Sequence, residues 1–163
     1  FFFVNENKFV KRYNNGYFLA APELFIKSHF PLEEKWILLD QKPTLNQFIK
    51  APLIYGNTFK NKVIPMEPKT LVNTAFQDDS ITFKYKIEDR IKIENIDFVV
   101  SYGNRFKSIL PNDLVYKDGI LEFTYKFMKK GHFDVHLKID DVIIASYNLE
   151  VKKRKNLMTI SYN

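Results

Sequence analysis

Three stretches of this chain alternate apolar and polar residues with a period of two. Ile81, Phe83, Tyr85 and Ile87 alternate with Thr82, Lys84 and Lys86. Leu121, Phe123, Tyr125 and Phe127 alternate with Glu122, Thr124 and Lys126, and Phe133, Val135, Leu137 and Ile139 with His132, Asp134, His136 and Lys138. Successive side chains of a strand point to opposite faces, so each run predicts a strand with one buried and one wet face. Asp118-Gly119, Lys130-Gly131 and Asp140-Asp141 supply turn chemistry between runs. Further strands are predicted at about 71–76, 98–102 and 142–151. Six or seven short antiparallel strands within 69–153 predict a β-sandwich.

Ahead of these runs the period is helical. Pro22 suits a first helical position, and Leu24, Phe25 and Phe30 line one side until Pro31 ends the run. Thr44 and Gln47 form a capping box, in which the Thr hydroxyl accepts from a backbone N–H and the Gln side chain reaches back to the cap. Leu45, Phe48 and Ile49 follow at helical spacing, and Pro52 closes the element. Gly56, Pro65 and Pro68 then mark a linker or edge segment. The expected organisation is a mixed segment at 1–54, a linker or edge piece at 55–68, the sandwich at 69–153 and a tail at 154–163.

Composition sharpens this picture. Hydrophobic residues are 45% and charged residues 27%, enough apolar surface for a packed core. The chain has 16 Phe and 9 Tyr against 5 Gly, a bias that suits half-buried pleated surfaces. The net charge of +6 permits attraction to nucleic acid, an anionic membrane or an acidic partner. The same excess of Lys, Asn, Ile, Phe and Tyr also follows from AT-rich coding. Lysines scattered along the strands, and one basic cluster at Lys152-Lys153-Arg154-Lys155, disfavour nucleic acid. The absence of cysteine removes disulfides, thiolate metal sites and a Cys nucleophile. No apolar run reaches the length of a transmembrane segment. The start at Phe1, without Met, leads us to expect that the chain is a fragment with further sequence upstream.

One stretch carries a resemblance. Residues Tyr17-Phe18-Leu19-Ala20-Ala21-Pro22-Glu23-Leu24-Phe25-Ile26-Lys27-Ser28-His29-Phe30-Pro31, then Lys35-Trp36-Ile37-Leu38-Leu39, resemble the segment after the catalytic core in transglutaminase-like proteins of the kyphoscoliosis peptidase group. The Thr44–Pro52 segment resembles that group too, and the match runs from Lys8 to Leu53. The resemblance implies an immunoglobulin-like sandwich following this segment. It also implies an upstream transglutaminase-like domain whose Cys, His and Asp form a papain-like site, in which His activates the thiol and Asp orients the His. None of those catalytic residues maps onto this chain, so catalytic residues, cofactors and metals are all expected to be none here.

Several residues still invite chemistry. Ser28-His29 could be read as a dyad, but sequence neighbours on a helix point apart, which favours a packing or hydrogen-bonding role for His29. His29, Phe30 and Trp36 are the candidates for interdomain packing or binding. His132, Asp134 and His136 share one strand face, yet residues four apart on a strand are separated by about 13 Å, whereas zinc ligands lie about 2 Å from the ion. The two histidines therefore cannot hold one metal, and a solvated sheet face is the expectation. Glu33-Glu34 and Asp78-Asp79 read as surface turns. Among end loops, 103–112 and 129–131 are candidates for contact.

The resulting expectation is a non-catalytic accessory region whose sandwich contacts a protein or cell-surface partner. The alternative is part of an active transglutaminase-like enzyme whose Cys-His-Asp site lies upstream. The missing cysteines and the fold favour an extracytoplasmic or secreted setting.

Overall fold

A computed structural model describes residues 2–3, 8–9, 15–87, 94–103, 105–109 and 114–154. Two short strands, β1 (Phe2–Phe3) and β2 (Lys8–Phe9), pair antiparallel. Next come α1 (Pro22–Phe25), α2 (Leu45–Ile49), β3 (Leu53–Ile54) and α3 (Gly56–Lys60). Nine strands complete the described chain: β4 (Val63–Glu67), β5 (Val72–Phe76), β6 (Ser80–Ile87), β7 (Ile96–Tyr102), β8 (Arg105–Ile109), β9 (Val115–Lys117), β10 (Ile120–Lys126), β11 (Gly131–Ile139) and β12 (Val142–Lys152).

The alternating residues do what their period dictates. Phe83, Tyr85 and Ile87 on β6, Leu121 and Phe123 on β10, and Val135, Leu137 and Ile139 on β11 are all buried. Strand order gives one sheet of β4-β6-β10-β9 and a second running β12-β11-β7-β8, with β3 and β5 also paired to β12. An immunoglobulin-type sandwich has strands A, B, E and D in one sheet and C, F and G in the other. Here β4, β6, β10 and β9 stand as A-B-E-D, and β12, β11, β7 and β8 as G-F-C with one added strand. The chain therefore forms an immunoglobulin-like antiparallel β-sandwich preceded by a short mixed helical segment. One pairing within it is parallel, β5 with the second half of β12, because the first strand leaves one sheet after β4 and continues on the other.

The core is aromatic. Phe83 stands between the sheets, 4.8 Å from the ring of Phe98 on β7, 5.3 Å from Phe123 and 5.4 Å from Tyr147 on β12. Tyr85 and Tyr147 are buried, and their phenols approach each other without a hydrogen bond of normal geometry. Burial pushes both phenols well above the ordinary tyrosine value. Above about pH 10 an unfolded chain loses those two protons while the native chain keeps them. The unfolded state then binds fewer protons, so stability falls as pH rises. Tyr85→Phe and Tyr147→Phe together are expected to abolish that alkaline loss and, at neutral pH, to leave stability unchanged or raise it by up to about 1 kcal/mol. Urea melts at pH 7 and pH 10.5 check this; a loss above about 2 kcal/mol at pH 7 would show that the hydroxyls are satisfied after all.

The helical segment is fastened to the sandwich through α3 and β3. β3 pairs with Ala145 and Ser146 of β12. The Thr58 hydroxyl of α3 donates to the Ile144 carbonyl at 2.5 Å, and the Tyr55 hydroxyl bonds Ser146 Oγ at 2.9 Å. Thr58 and Phe59 are fully buried, so α3 is a plug between the segment and the sheet. Tyr17 packs its ring on Phe59 at 4.3 Å, and the backbone at Gly16 lies against that of Phe59 and Lys60.

Candidate interaction site

Pro22 opens α1 at its first position, where a missing N–H costs nothing, and α1 ends after a single turn at Phe25. The backbone N–H of His29 still donates to the Phe25 carbonyl at 3.0 Å, which stacks the imidazole on the Phe25 ring at 4.4 Å. Tyr17 and Phe59 meet the same imidazole edge-on, at 5.8 and 6.2 Å. Phe30 turns toward α2 and packs on Phe48 at 5.3 Å. A 3-10 turn over Glu34–Trp36 then brings Trp36 back toward α1. Lys35 pairs with Glu33 and lies 5.4 Å from the centre of the Trp36 ring.

The three sequence candidates thus line one cleft. His29, Phe30 and Trp36, with Pro22, Phe25 and Leu38, enclose about 450 Å³. Its walls are almost wholly apolar, and it opens to the surface: Trp36 is 65% exposed and Leu38 76%. The capping box of α2 forms as expected, Gln47 N–H to Thr44 Oγ1 at 3.2 Å and Thr44 N–H to Gln47 Oε1 at 2.8 Å. Its apolar stripe is only partly used, because Leu45 and Ile49 remain 53% and 67% exposed while Phe48 packs on Phe30. Leu45 and Ile49 thus add exposed apolar surface on α2, the helix whose Phe48 meets Phe30 of the cleft.

Ser28 Oγ and His29 Nδ1 do share a hydrogen bond of 2.6 Å. On β11, His132, Asp134 and His136 share one face, with the inner half more enclosed than a solvated sheet. His136 Nδ1 bonds Ser146 Oγ at 2.7 Å, and burial lowers its pKa while Asp134 opposes the shift. Asp134 accepts from Asn148. No group of three or more His, Asp or Glu among the described residues is placed to hold a metal.

Half of the chain resembles kyphoscoliosis peptidase. The mouse protein is 35% identical over 80 residues, 48% of this chain and 12% of the relative. The human protein is 38% identical over the same share of each. This chain thus spans only a small part of kyphoscoliosis peptidase, and no family model matches it. A solved Lin-41 filamin domain aligns with 48% of this chain and 82% of its own at 9% identity and a TM-score of 0.39. Strand order, not that likeness, defines the fold.

One of the two contact loops looks different in three dimensions. Within 103–112, residues 105–109 form strand β8 rather than a loop, while 104 and 110–112 lie outside the described residues. Asp78-Asp79 forms the expected turn, where Asp79 accepts from the Phe76 N–H at 3.0 Å and from Arg154, and both hold its carboxyl below the usual range. Of the basic tail cluster, Lys155 lies outside the described residues. Among the described residues no helix is long and apolar enough to cross a membrane. Phe25 and Leu38, absent from the candidates, complete the cleft; their signal was position, since Phe25 precedes His29 by one helical turn and Leu38 follows Trp36 by one strand repeat.

Proposed function

We propose that this chain is a non-catalytic accessory region of a transglutaminase-like protein, acting through surfaces and not through a reaction of its own. In this reading residues 1–54 end a transglutaminase-like domain, 55–68 join it to the sandwich and supply its first strand, β4, and 69–153 complete the sandwich and present it to a protein or cell-surface partner. His29, Phe30 and Trp36 receive the upstream domain. The observation that carries the proposal is the open apolar cleft lined by His29, Phe30 and Trp36, with Trp36 and Leu38 exposed. Contiguous exposed apolar surface of this kind marks an interaction site. Similarity to part of a much longer peptidase supports a neighbouring domain as the occupant.

The same similarity supports a second reading, in which the segment belongs to an active enzyme whose Cys-His-Asp site lies upstream. Intact mass and terminal sequencing of the natural polypeptide test both. The proposal expects a product much longer than 163 residues; a Cys, His and Asp in the added sequence, with peptide-bond cleavage or crosslinking lost on Cys→Ala, favours the second. A natural product of 163 residues would overturn both. In the longer product, Trp36→Ser with Leu38→Ser is expected to loosen the domain contact, seen as faster limited proteolysis between the domains with unchanged melting of the sandwich.

A further inference from the structure

A second cleft lies on the other side of the Phe30–Phe48 ring pair, at the junction between the segment and the sandwich. It encloses about 500 Å³, and Lys27, Lys42, Lys50 and Lys69 all line it. These lysines come from four separate places: the turn after α1, the loop before α2, the end of α2 and the loop after β4. The backbone between them is tied down, because the Leu71 N–H donates to the Lys50 carbonyl at 2.7 Å. Phe48 and Met66 are among its apolar lining residues.

The charges do not balance. Glu67 pairs with Lys69 at 3.7 Å and also attracts Lys27, and Lys42 spends its ammonium on the Glu34 carbonyl at 3.3 Å. Burial around Lys27 disfavours its charged form in spite of Glu67, and Lys69 repels it further. A ligand carboxylate would restore what desolvation removes. Phe48 also packs on Phe30, in a tilted contact at 5.3 Å.

We propose that this cleft binds a short acidic peptide segment of a partner protein, its carboxylates meeting Lys27, Lys50 and Lys69 and its apolar side chains packing on Phe48 and Met66. The site shares Ile26 with the cleft at Trp36 but none of its lysines, so either proposal can fail without the other. A phage-displayed library of random heptapeptides, selected on the whole chain, tests it. Selected peptides should be enriched in Asp and Glu interspersed with apolar residues. Binding of the best peptide, read by fluorescence anisotropy, should weaken about tenfold when its acids become Gln and Asn, and about tenfold in Lys50→Gln/Lys69→Gln. Lys117→Gln/Lys130→Gln, an equal charge change on β9 and in the loop before β11, and Trp36→Ser should leave it unaltered. Both lysine pairs are exposed, so all variants should melt alike. The proposal is overturned by selection without acidic enrichment, by equal loss in the two lysine pairs, or by an oligonucleotide that outcompetes the peptide.

Discussion

Phe83→Ala is expected to cost about 3–5 kcal/mol, enough to unfold a domain of ordinary stability at moderate temperature. The ring is fully buried and touches both sheets, with Phe123 beside it and Phe98 and Tyr147 opposite. Truncation therefore removes transfer energy and leaves a cavity that flat aromatic neighbours cannot collapse into without leaving their rotamers. Phe83→Leu should cost clearly less, because most of the volume is kept. Urea denaturation followed by circular dichroism checks both; an alanine variant within about 1 kcal/mol of the parent would mean that the two sheets do not meet at this ring.

Gly16→Ala is expected to act elsewhere, on the attachment of the helical segment. A methyl group at Gly16 would come within 2.5 Å of the Lys60 nitrogen and 2.6 Å of the Phe59 carbonyl carbon. Both are backbone atoms of α3, which cannot swing aside as a side chain would. Overpacking of this kind costs about 1–3 kcal/mol, and here the cheapest relief is to lift the Asn15–Tyr17 turn off α3. Tyr17 then loses its contact with Phe59, and the Trp36 cleft loses one of its supports at His29. Limited proteolysis should cut within 15–52 several-fold faster, while the sandwich melts within a few degrees of the parent. Unchanged proteolysis would show that Gly16 is not a point of attachment.

What could be read from sequence follows from how local each cause is. The strands facing the core carry a clean period of two because one side of each must be dry, and the capping box on α2 is complete within four residues. β8 and β9 carry no such signal: every residue of Val115–Lys117 is exposed, as are four of the five in Arg105–Ile109, so no face is selected. The Thr58–Ile144 bond joins residues 86 apart and depends on the folded sandwich. The parallel pairing of β5 with β12 is equally non-local, since it follows from the first strand changing sheets. His29, Phe30 and Trp36 were singled out by a motif and not by their chemistry, and their shared cleft depends on the turn after Pro31. The four lysines of the second cleft had no sequence signature at all, because their spacing fits neither a helix face nor a strand face.

In the natural protein a neighbouring domain is expected to cover the Trp36 cleft. Hydroxyl-radical footprinting with mass spectrometry, applied to this chain and to the natural polypeptide, tests that directly. Trp36 and Leu38 should be oxidised readily in this chain and about tenfold more slowly in the natural polypeptide, while Met128, exposed on the sandwich, reacts equally in both. Equal oxidation of Trp36 in the two would contradict the proposal that this cleft receives another domain.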